Sequence, residues 1–154
     1  MRWNQGREII ERMLVDRQLQ QVPPSRRHAD RLMAQAHRHV LTAQREAHED
    51  PEAAYSVLYD AARKALVAIL ENQGLRPTSA GGHVAVLEAV RAQLDPPLGP
   101  TLRPFDRMRR QRKDAEYPPV DAPELTGDDV LEDLGKVEKI LQLAERVLDQ
   151  MSPF

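Results

Sequence analysis

The 154-residue sequence contains no cysteine. A disulfide framework, a thiol nucleophile and a thiolate zinc site are therefore excluded, which fits a reducing compartment. Aromatic residues make up only 4%, and few windows alternate with period two, so half-buried strands have little to be built from. No apolar run approaches the ~20 residues that a membrane-spanning helix needs. The opening MRWNQGREII has no apolar core followed by a small-residue cleavage site. Charge of one sign is not in excess either: 22 Lys and Arg face 24 Asp and Glu, a formal −2. Nothing global in that balance calls for nucleic acid. The expectation is a soluble, cytoplasmic chain with no membrane contact.

What the sequence does have is helical periodicity almost throughout. With 41% apolar and 30% charged residues, the chain has an ordinary globular balance, and its length suffices for one core without staples. From Gln5 to Val15, the residues Ile9, Ile10, Met13 and Leu14 fall on one stripe. This is an amphipathic helix that either docks on its own bundle or marks a partner-binding appendage spanning residues 1–22. Pro23-Pro24 then breaks the chain, and Ser25 is a natural N-cap for a helix using Ala29, Leu32, Met33, Ala36, Val40 and Ala43. Asp50-Pro51 opens the next helix, apolar around most of its circumference and so the central element; Gly74 suits its left-handed end. The stretch LRPTSAGG reads as a loop. After it, HVAVLEAVRAQL offers Val84, Leu87, Val90, Ala92 and Leu94 to the core. DPPLGP is a hard break before a helix from about Thr101 to Glu116. Thr126 and Asp129 have capping-box spacing ahead of a long last helix. There Val130, Leu134, Val137, Leu141, Ala144, Leu148 and Met151 step by four and three, a seam for packing along another long helix. The fold class expected is all-α: an up-and-down bundle of four to five main helices over residues 23–154, behind the N-terminal amphipathic helix.

Six of the eleven residues from Arg103 to Lys113 are basic. Most are spread around the helix, but Phe105, Met108, Arg112 and Ala115 are spaced by three, four and three and share a face. A guanidinium on a packing face costs several kcal/mol unless it is paired or opens onto a cleft or partner. Otherwise it must snorkel past the core edge. The histidines offer less. His28, His37, His39 and His48 make no i,i+4 pair, so no metal site is expected and they read as solvated. His83 reads as a first-turn residue facing solvent. No phosphate-loop, nucleophile-elbow or zinc-protease motif is present, and no cofactor is expected.

The helix ending RKDAEY, Arg112 to Tyr117, following the segment AYSVLYDAARKALVAILENQGLRPTSAGGHVAVLEAV, resembles the HEPN superfamily, the "higher eukaryotes and prokaryotes nucleotide-binding" proteins. The likeness spans about two thirds of the chain. The resemblance implies a compact helical bundle, usually dimeric, with a motif Arg-x(4–6)-His. In HEPN ribonucleases the arginine holds the scissile phosphate and the histidine moves protons near neutral pH. Here Tyr117 stands in the histidine's place, and a phenol with pKa near 10 is a poor substitute. Lys113 also replaces a frequent polar amide.

Many HEPN proteins pair with a nucleotidyltransferase in toxin–antitoxin modules, either as a toxin silenced by tyrosine adenylation or as a degraded partner that blocks the transferase. The resemblance therefore implies a non-catalytic antitoxin or regulatory partner of a nucleotidyltransferase. On that reading the binding residues are Arg109, Arg112, Lys113, Asp114 and Tyr117, with the stripe Ile9, Ile10, Met13 and Leu14, and Tyr117 is a candidate for modification. The alternative is a ribonuclease using Arg112, Asp114 and Tyr117. RNA is the weaker partner; binding to it without catalysis would fall steeply with salt. Tyr117 itself either bonds Asp114 or Arg112 through its hydroxyl or leaves that hydroxyl free. A homodimer is expected from the last helix's seam and from the resemblance, with Arg112 of each copy facing a shared cleft.

Overall fold

A computed structural model describes residues 3–154. Among them are six helices: α1 (Arg7–Val15), α2 (Arg26–Glu46), α3 (Pro51–Gln73), α4 (Gly82–Leu94), α5 (Gly99–Glu116) and α6 (Gly127–Leu148). Two short strands, β1 (Leu19–Gln21) and β2 (Leu75–Pro77), pair antiparallel with Gln20 opposite Arg76. The helix-forming signals act where the sequence puts them. Ser25 Oγ accepts the His28 N–H at 3.0 Å, and Asp50 accepts from the Ala53 N–H at 3.3 Å with Pro51 in the first turn. Thr126 and Asp129 exchange hydrogen bonds of 3.2 and 3.0 Å, a complete capping box. Each such cap satisfies a backbone donor that the helix leaves free and is worth about 1 kcal/mol.

The bundle is all-α around α3, which packs against α2, α4, α5 and α6. Tyr55, Leu58, Tyr59, Leu66, Ile69 and Leu70 of α3 are fully enclosed, as a helix apolar on nearly all sides must be. At its end Gly74 has φ +85°, and a Cβ there would lie 2.7 Å from the Val22 carbonyl oxygen. That close approach lets β2 turn back beside β1. The ribbon replaces the loop expected at LRPTSAGG. Three-residue strands carry no alternation to read, and pairing with residues more than fifty positions away decides them.

One open alternative is decided and two expectations are corrected. Ile10 and Met13 are buried, Ile9 and Leu14 lie against the same core, and α1 packs on α4. The N-terminal segment is therefore docked on its own bundle, stitched in further by β1. Its stripe is not a free partner surface, and residues 1 and 2 lie outside the described residues. The seam of α6 is also spent inside the chain: Val130, Leu134, Val137, Leu141, Ala144, Leu148 and Met151 are all buried, with α6 against α3 and α2. It gives no argument for a second copy. Leu87, Val90 and Leu94 are buried as expected, but Val84 is exposed and Ala92 only half-buried, because α4 turns Ala85, Val86 and Ala89 inward in their place. Among the described residues, no helix is long and apolar enough to cross a membrane.

Candidate functional site

Helix α5 buries Leu102, Phe105 and Met108. One turn further its stripe reaches Arg112, where the helix runs out past the core edge. The guanidinium there is one-third exposed, with Nη2 3.0 Å from Glu116 Oε1 and its carbon 5.6 Å from the centre of the Tyr59 ring. It lines a groove of about 320 Å³ with Ser56, Tyr59, Asp60 and Arg63 of α3, His39 of α2 and His83 of α4. Arg112 thus opens onto a cleft, the placement that makes a charge on this face tolerable.

The groove's floor is an aromatic stack. Tyr59 lies between Phe105 and His83, at ring-centre distances of 5.1 and 5.6 Å with 29° between the planes in each case. The Tyr59 hydroxyl and His83 Nδ1 are 2.8 Å apart. Burial pushes the phenol up to about 12, although Arg63 and Arg112 pull it the other way. His83 is shifted below its ordinary value by burial first and by the charges of Arg63 and Arg112 second. Its imidazole is accordingly neutral at neutral pH. The expectation that His83 faces solvent is corrected: stacking on Tyr59 draws it into the groove.

Asp60 organises the other wall. It takes Arg63 Nη2 at 2.7 Å and Lys64 Nζ at 3.1 Å, and His39 Nε2 lies 3.5 Å away. Burial alone would raise the Asp60 pKa, but hydrogen bonds from Arg63 and Lys64 outweigh it and the net shift is downward. Lys64 also lies 2.8 Å from His39 Nε2. Burial, then the Lys64 charge, lowers the His39 pKa, so this ring accepts the ammonium's hydrogen bond. Arg63 and Lys64 therefore cover the Asp60 carboxylate, while Arg112, paired with Glu116, lines the groove without a contact to it.

The other expected site residues do not line the groove, although the charge of Arg109 reaches Tyr59 and His83. Arg109 is paired with Asp106 at 2.9 Å, and Lys113 and Asp114 sit on the exposed outer side. Tyr117 caps the end of α5, its N–H bonding the Lys113 carbonyl at 3.1 Å, and its ring is 81% exposed. Its hydroxyl makes neither of the bonds expected to Asp114 or Arg112. Part of the basic run is structural instead. Arg107 grips Asp133 of α6 through both nitrogens, at 2.6 and 3.2 Å, while the Tyr55 hydroxyl donates to the same carboxylate at 2.7 Å.

Sequence reasoning missed His83, Arg63 and His39, because no linear spacing relates positions 39, 63, 83 and 112. The other histidines find carboxylate neighbours where they read as merely solvated: His37 meets Glu145 across α2 and α6, and His28 lies 4.0 Å from Glu71. In comparison with known proteins, the family model described as HEPN domain matches residues 29–151. Neither the curated proteins nor the solved structures compared gave a match.

Proposed function

Since the chain belongs to the HEPN family, we propose that it is a non-catalytic interaction protein of that family, an antitoxin or regulatory partner of a nucleotidyltransferase. The observation that carries this reading is the position of Tyr117. The residue that stands where the resemblance places a histidine is 81% exposed, beyond the end of α5. Helix α5 therefore offers Arg112 no imidazole to move protons, and a phenol exposed beyond the helix end is not held against Arg112 to replace one. The same exposure leaves the Tyr117 hydroxyl open to modification by a transferase. With α1 docked, the partner surface proposed is the outer side of α5: Arg109, Lys113, Asp114 and Tyr117, with Arg112 at its inner edge. We further propose a cytoplasmic homodimer, which now rests on the resemblance alone.

The test is co-purification with the nucleotidyltransferase encoded in the adjacent reading frame. A stable complex, weakened at least tenfold by Lys113→Glu combined with Tyr117→Ala, is the expected result; no complex at micromolar concentrations would overturn it. A second reading, ribonuclease, is favoured by one observation, His83 beside Arg112 in the groove. Purified protein incubated with total RNA is expected to leave it intact. Cleavage that disappears in Arg112→Ala would establish the ribonuclease instead.

A further inference from the structure

We propose that the chain docks onto a second copy of itself through the outer face of α2 and α6, the basic edge of each α2 lying along the acidic edge of the other copy's α6. The resemblance places pairing at a shared Arg112 cleft instead. Helix α5 contributes nothing to this face, so the contact neither needs nor excludes that cleft, and it is independent of the transferase proposed above.

Two lines of residues carry it. On α2, Arg27, Arg31, Ala34, Arg38, Leu41 and Arg45 step by four and three alternately, and all six are exposed. On α6 and its C-cap, Leu131, Gly135, Glu138, Gln142, Glu145 and Asp149 step in the same order and are exposed as well. Such stepping belongs to a helix that packs along another, yet the buried faces of both helices are different residues, already filled. Each line runs for about 27 Å. Glu145 and Asp149 reach His37 and Arg26 of α2, and His48, one step beyond Arg45, reaches Asp128. The two lines therefore border one junction and share a face.

Charge is sorted between them. The ion pairs of α2 are made by Arg26 and its histidines and use none of Arg27, Arg31, Arg38 and Arg45. The α6 line holds three carboxylates and no cation; Lys139 and Arg146 come one position later, about 100° around the helix. Asp149 meets Arg26 through Oδ1 and Glu145 meets His37 through Oε1, so each keeps a second oxygen. A nucleic acid laid on the arginines would meet these carboxylates alongside. A second copy brings both signs in the matching order.

The register follows from the fold. Arg26 and Asp149 are 2.9 Å apart at one end of the helix pair, and His48 and Asp128 are 4.0 Å apart at the other, so α2 and α6 run antiparallel and level. A two-fold axis parallel to them exchanges the helices and keeps that level. Arg27 then opposes the partner's Asp149, Arg31 the partner's Glu145 and Arg38 the partner's Glu138, each pair occurring twice. Leu41 opposes the partner's Gly135. Glycine inside a helix is destabilising relative to alanine, and a Cβ at Gly135 would meet nothing within 4 Å in its own chain. Opposite a leucine, the missing side chain is what lets the two helices approach.

Sedimentation equilibrium of the full chain at micromolar concentration tests the contact with exchanged charges. One variant carries Arg31→Glu with Arg38→Glu, the other Glu138→Lys with Glu145→Lys; all four positions are exposed, and both variants should melt as the parent does. Each alone sets like charges together and is expected to sediment at half the parent's mass. Their equimolar mixture restores opposite charges on both edges and is expected to regain the parent's mass. Gly135→Leu, which changes no charge, should weaken association at least tenfold without lowering the melting temperature. Raising sodium chloride from about 0.05 to about 0.5 M should also weaken the parent at least tenfold. A monomeric parent, variants that keep the parent's mass, a mixture that stays at half mass, or association indifferent to salt and to Gly135→Leu would each overturn the contact. Variants that keep the parent's mass would leave a homodimer standing on some other face, and loss of the transferase complex would leave all of these masses unchanged.

Discussion

A neutral imidazole among guanidiniums ties the groove to pH. Unfolded, His83 takes up a proton near pH 6.5; folded, burial and the charges of Arg63 and Arg112 hold its pKa lower. Between those two values the unfolded chain binds more protons, so stability falls as pH drops below about 6.5. The prediction is that this decline, followed by urea unfolding from pH 7.5 to 5, is shallower in His83→Gln. Asp133 titrates in a different window. Burial alone would raise its pKa, but hydrogen bonds from Arg107 and Tyr55 outweigh that and hold it below the usual carboxylate range. Its contribution is present above about pH 4 and is lost as pH falls through the depressed folded value. Asp133→Ala should cost roughly 2 kcal/mol in urea unfolding at pH 7. That is less than the roughly 3–5 of a fully buried pair, since Arg107 is half open to solvent. A change within 0.5 kcal/mol would show that the clamp between α5 and α6 does not hold the bundle. None of this was legible beforehand. Arg112 was singled out by its place on the stripe, whereas Arg107, one of several charges on a basic helix, gave no sign of its partner on α6.

Helix ends were far easier to read. A cap is a local arrangement, complete within three or four residues, so Ser25, Asp50, Gly74 and the Thr126–Asp129 pair could be recognised from order alone. Thr126→Ala should lower stability by about 1 kcal/mol, or ~2–4 °C in Tm for a chain of this size. Gly74→Ala should cost more than the cap does. It forces a left-handed φ of +85° on a residue with a Cβ and brings that atom 2.7 Å from the Val22 carbonyl. Thermal melts of the two variants check the order; a smaller loss in Gly74→Ala would mean that the turn into β2 relaxes freely. The ribbon that this turn feeds was not foreseen, because strands of three residues depend on a partner far along the chain.

At the scale of the molecule, both apolar stripes that looked available for association turned out to be internal. Ile10 and Met13 seat α1 on α4, and the α6 seam faces α3 and α2. Leu141→Ala should therefore destabilise the folded chain by about 2–5 kcal/mol in chemical unfolding. A variant that unfolds like the parent but sediments as a smaller species would return the seam to a dimer interface. Ile10→Ala should likewise cost about 2–4 kcal/mol while leaving transferase binding unchanged in the variant that remains folded. Sedimentation of the parent chain at micromolar concentration is expected to give a dimer. A monomer would remove the shared-cleft placement of Arg112 and leave the groove of a single copy to act alone.

From its order of residues alone, the chain determined the helices, their caps, the central place of α3 and the inward stripe that carries Arg112, because those depend on neighbours within a turn or two. Tertiary packing alone decided which apolar faces meet each other, and so consumed the seam and the N-terminal stripe. It also decided which polar groups share a groove. His39, Arg63, His83 and Arg112 are drawn from four helices, and only the packing of those helices around Tyr59 brings them to one groove.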